Sequence, residues 1–67
     1  MDKGEIIQTK VAERREGGVT VCLYAVFDIG ENTREWYCVE WDGPAKSMMR
    51  KYSMLKGAVM AYRMPVQ

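Results

Sequence analysis

Residues 5–15, EIIQTKVAERR, alternate along the chain, with Ile7, Thr9 and Val11 on one side, which is the period of a β-strand. Residues 19–28 alternate far less. Val21, Leu23, Ala25 and Phe27 line one side, while Cys22, Tyr24 and Val26 line the other. A strand with one face in water keeps that face polar, so the second apolar side calls for cover. Residues 34–41, REWYCVEW, carry the aromatic and β-branched content of a third strand. Glu16-Gly17-Gly18 and the stretch Asp28 to Asn32 read as the turns between them.

Register follows from asking which pairing gathers apolar residues on one face. Placing Cys22 opposite Cys38, with Gly30 at the centre of the turn, sets Val21 against Val39 and Leu23 against Tyr37. A three-residue Glu16–Gly18 loop sets Val11 against Leu23 and Ile7 against Phe27 on that same face. A two-residue Gly17-Gly18 loop would bring Arg14, Lys10 and Gln8 onto the core side, so burial favours the longer loop.

Asp42-Gly43-Pro44 closes the third strand and reads as a helix start, because proline at the first helical position loses no needed N–H. Met48, Tyr52 and Leu55 then recur at helical spacing, with Lys46, Arg50 and Ser53 turned to water. Two endings remain open. Lys56-Gly57 can cap the helix, leaving 58–64 as a fourth strand, or the helix can run on through Val59 and Tyr62. The expected fold class is α+β: a three-stranded antiparallel sheet packed on one C-terminal helix, with or without that fourth strand (βββα or βββαβ).

With the helix on one face, the other face lies open. It carries Lys10, Ala12 and Arg14 from the first strand, Cys22, Tyr24 and Val26 from the second, and Arg34, Trp36 and Cys38 from the third. An apolar, aromatic patch rimmed by cations marks a binding surface. The expected partner-binding residues are Tyr24, Trp36, Cys22, Val26, Arg34, Lys10 and Arg14, with Lys46 and Arg50 as a secondary basic surface.

Composition narrows the reading. Sixty-seven residues make a single domain over 1–67, and so small a domain buries only about 60% of its unfolded surface. The opening MDKGEII has no apolar signal segment and no run is long enough to span a bilayer, so the expectation is a cytoplasmic protein with two free thiols. The net charge of +1 divides unevenly: residues 1–43 hold five cations and nine acids, while residues 44–67 hold five cations and no acid.

Little here points to chemistry. There is no histidine, and two cysteines do not complete a zinc site, so neither metal nor cofactor is expected. Glu35 and Glu40 fall on opposite faces of one strand and cannot converge as an acid/base pair. No glycine-rich phosphate loop is present. The expected function is therefore a non-enzymatic protein-binding module, an inhibitor or adaptor of another protein, acting through the open face or by homodimerisation.

Three strands followed by one helix over residues 5–56 resemble, in the order of elements alone, the AP2-type and phage-integrase arm-binding domains. That resemblance implies a second reading, a nucleic-acid-binding regulator whose open sheet face enters the groove. Lys10, Arg14, Arg34, Tyr24 and Trp36 would then supply phosphate contact and stacking. Glu40 on the same face and the near-neutral whole weigh against it.

Overall fold

The structure is a computed structural model that describes residues 5–30 and 32–66. Its elements are β1 (Glu5–Glu16), β2 (Val19–Ile29), β3 (Arg34–Asp42), β4 (Ser47–Tyr52) and α1 (Leu55–Arg63). The four strands form one antiparallel sheet in the order β1-β2-β3-β4, with α1 packed on one face. The α+β class is as the sequence predicts. The placement of the later elements differs: the helix expected from Pro44 is a strand over 47–52, and of the two endings left open the structure has the helical one, with Val59 and Tyr62 inside α1.

The exchange has a physical reason. Met48, Tyr52 and Leu55 suit a helical stripe, but Met48, Arg50 and Tyr52 equally suit one side of a strand. Pairing with β3 gives that strand's free edge its ladder hydrogen bonds, with Trp41 opposite Met48 and Tyr37 opposite Tyr52. The loop 43–46 closes through the Gly43 N–H donating to the Lys46 carbonyl at 3.0 Å. Gly57 is no cap. It lies inside α1 beside the Tyr52 ring, and Pro65 follows the helix end.

The core lies between α1 and the proximal part of the sheet. Val21, Val39 and Ala58 are fully buried, Leu23 and Ala61 nearly so, and Tyr52, Val59 and Tyr62 pack around them. Ala58 and Ala61, three apart, present only methyl groups and let the helix backbone approach the strands.

The β1–β2 hairpin combines the two loops that the sequence sets against each other. Gly17 and Gly18, with φ of 57° and 81°, form a two-residue turn next to the Glu16–Val19 pair. That turn puts Arg14 opposite Val21 and Ala12 opposite Leu23, both on the helix side. A bulge at Val11 then absorbs one residue. Beyond it Lys10 faces Tyr24 and Ile7 faces Phe27, as the three-residue loop would have it. Val11, expected in the core, is 55% exposed.

The β2–β3 register is also displaced. Cys22 faces Glu40, Tyr24 faces Cys38 and Val26 faces Trp36. The displacement of two residues leaves every side chain on its expected face. It sets small Ala25 against Tyr37 and closes the hairpin on the opposite charges of Asp28 and Arg34. Glu31, part of the expected turn, lies outside the described residues.

Candidate functional site: an uncovered end of the sheet

The helix is too short to cover the sheet. Nine residues of α1 span about 13 Å. Eleven residues of β2 span about 36 Å. The helix lies over Val21, Leu23 and Val39, and no described element covers the far end of β1, β2 and β3 on either face.

On the face away from α1, Val26 stands between Gln8 and Trp36, and Tyr24 between Lys10 and Cys38. Val26, Cys22 and Cys38 are buried although no helix packs on them. Their cover is the long side chains around them. Lys51 of β4 lies 4.5 Å from the centre of the Trp36 ring. Lys10 bonds Glu13 at 2.5 Å, and the Tyr24 hydroxyl donates to Glu40 at 3.3 Å. Tyr24 and Trp36 are left half-buried.

The titratable groups of this face reflect those contacts. Burial pushes the Tyr24 phenol up, helped by Cys22 and Glu40 beside it. The hydrogen bond with Glu13 raises Lys10, and the same bond lowers Glu13. Charge on the face is balanced. Lys10, Arg15, Arg34 and Lys51 are matched in number by Glu13, Asp28, Glu40 and Asp42.

Six of the seven expected partner-binding residues, Lys10, Cys22, Tyr24, Val26, Arg34 and Trp36, share this face. Arg14 does not, and its placement is corrected. The Gly17–Gly18 turn and the Val11 bulge turn it to the helix side, where its Nε donates to the Tyr62 carbonyl at 2.9 Å. It serves the fold there as a cap on α1. Arg50 and Lys46 are exposed, but on β4 and its preceding loop rather than on a helix.

The helix side of the same sheet end adds Ile7, Phe27 and Tyr37, which the sequence places on the core face, and Ile29, which it places in a turn. Ile7 is 39% and Ile29 46% exposed, and Phe27 and Tyr37 are half-buried. The Tyr37 hydroxyl donates to Glu35, which raises the phenol's pKa. The signal that could have identified them is the ratio of helix length to strand length. With Ile6 at 62% on the other face, this end of the sheet is apolar on both sides.

A cleft of about 400 Å³ lies near the β3–β4 loop, between Trp41, Pro44, Met48 and Val66, and among the described residues the only titratable side chain lining it is Lys46. Cys22 and Cys38 are unbonded and occupy diagonal positions, about 7–8 Å apart by sheet geometry, beyond disulfide reach. Among the described residues, no three potential metal ligands converge and no helix is long and apolar enough to cross a membrane.

Comparison of the chain with protein-family models, with curated proteins and with solved structures finds no match.

Proposed function

We propose that this chain is a non-enzymatic protein-binding module, an inhibitor or adaptor of another protein, working through the uncovered end of its sheet. The partner is a foreign protein or a second copy of the chain. The observation that carries this reading is the pair Tyr24 and Trp36, half-buried on a face where no described element packs, above a floor of Val26, Cys22 and Cys38. Aromatic anchors beside arginine are the composition of interface hot spots, and Arg34 lies on the same face. Two unbonded thiols suit a reducing cytoplasm.

The nucleic-acid reading has weaker support. Phosphate binding requires an excess of cations on the docking face, and here four are matched by four acids. The β4 strand between β3 and α1 also departs from the three-strands-then-helix order on which that resemblance rests.

The test is light scattering on the chain and on Trp36→Ala over a concentration series, with circular dichroism as a check on folding. A wild-type dimer lost in a folded Trp36→Ala variant assigns the face to a second copy. A wild-type monomer assigns it to a foreign protein, to be captured by wild type and lost with the variant. Unfolding of Trp36→Ala would place the tryptophan in the core and end the proposal.

A further inference from the structure

β4 is the last strand of the sheet, so among the described residues one side of its six-residue backbone has no strand partner. Cations line that edge from end to end. Lys46 precedes the strand, Arg50 and Lys51 stand on its two faces, and Lys56 follows in the first turn of α1. All four are exposed, and among the described residues none is in an ion pair. No acid occurs anywhere in residues 44–67.

A bare strand edge offers alternating N–H and C=O groups to any extended backbone, and charge decides which one it takes. A second copy is a poor match, because pairing β4 with β4 would bring Arg50 and Lys51 against their own kind. An acidic strand meets a cation on whichever face its side chains point. Nucleic acid could use the charges but not the backbone groups. At the end of β4, a groove of about 320 Å³ lies between Tyr52, Met54, Gly57 and Met60. Its methionines are adaptable and its size suits one large apolar side chain.

We infer that the free edge of β4 binds an extended acidic peptide by strand addition, with carboxylates meeting Arg50 and Lys56 and an apolar residue entering the groove beside Met60. This edge shares Lys51 with the Tyr24–Trp36 face but does not depend on that face having a partner.

The test uses the full chain and fluorescent peptides of six residues, the length of β4. One alternates valine with glutamate and carries phenylalanine in place of the last glutamate, so that it shares the glutamates' face; its counterpart has lysine for glutamate. Two further versions of the acidic peptide carry backbone N-methyl groups on alternate residues, one set for each edge. The acidic peptide is expected to bind and the lysine peptide to bind at least about tenfold more weakly. One N-methyl set should abolish binding and the other should leave it intact, since only one edge faces β4. Arg50→Glu with Lys56→Glu should weaken binding at least about tenfold. That pair leaves the Lys51–Trp36 contact in place. Equal binding by both N-methyl sets, equal binding by the lysine peptide, or displacement of the acidic peptide by a DNA duplex at equal charge would overturn the assignment. The N-methyl comparison needs only the wild-type chain, so it decides the matter even if the charge-reversed variant fails to fold.

Discussion

Arg14 and Tyr62 join the two ends of the chain. The Arg14 guanidinium lies 5.5 Å from the centre of the Tyr62 ring and donates through Nε to the Tyr62 carbonyl. One terminal nitrogen donates to the Met64 carbonyl at 2.6 Å, and the other to Glu16 at 2.5 Å. Glu16 in turn accepts the Val66 N–H at 3.2 Å. A cation from β1 thus satisfies carbonyls at the end of α1, where the helix dipole is negative.

Arg14→Ala should therefore lower stability by about 1–2 kcal/mol, as expected for charge-assisted hydrogen bonds at a partly exposed site. Urea unfolding of the variant beside wild type measures this. An unchanged midpoint would mean that the helix end needs no help from β1.

Glu16 makes the same contact sensitive to acid. The hydrogen bond from Arg14, and after it the one from Val66, hold its carboxyl below the ordinary value of 4.5. A depressed folded pKa contributes stability that is present above the unfolded value and is lost as pH falls through the folded one. Glu16→Gln should be less stable than wild type at neutral pH, with the difference closing once the medium is more acidic than Glu16's folded pKa. Thermal midpoints across that range check it; a gap independent of pH would remove Glu16 from the titration.

The Val11 bulge leads to a less usual expectation. Lys10 already faces Tyr24 and Ala12 already faces Leu23, so Val11 has no partner across the ladder. Removing it joins two pairs that are in register with β2 and leaves every neighbour on its face. Deletion of Val11 should leave the chain folded, with stability changed by no more than about 1 kcal/mol. An unfolded deletion variant would show that β1 pairs otherwise.

Ala58 tests the packing of the helix. It is fully buried against the sheet, so Ala58→Leu forces the helix outward at a cost of about 1–3 kcal/mol. A variant as stable as wild type in urea would mean that room exists between α1 and the sheet.

What could be read from the sequence follows from what period and propensity encode. The two faces of β2 and β3 were legible, because side chains alternate and a displacement of two residues leaves each on its own side. The displacement itself was not, since it depends on the hairpin closing at the Asp28–Arg34 pair, which the period of the strands does not encode. Arg14 was misplaced for a related reason: an extra residue at Val11 reverses parity between the ends of β1, and no single side chain there announces it. Residues 47–52 satisfy both periods, and the unpaired edge of β3, a tertiary fact, decides for a strand. The Tyr24–Trp36 surface was legible from the doubly apolar β2. The exposure of Ile7 and Ile29 emerged only with the nine-residue length of α1.

The most direct measurement places a photoreactive side chain at Gln8, exposed on the Tyr24–Trp36 face, and in a separate chain at Arg63, exposed on α1. Both chains are irradiated in the cells that make them, and the adducts are resolved by mass. A protein adduct, foreign or self, from Gln8 and not from Arg63 is the predicted result. Adducts from Arg63 alone, or none from Gln8 in a folded chain, would contradict a binding role for the open end of the sheet.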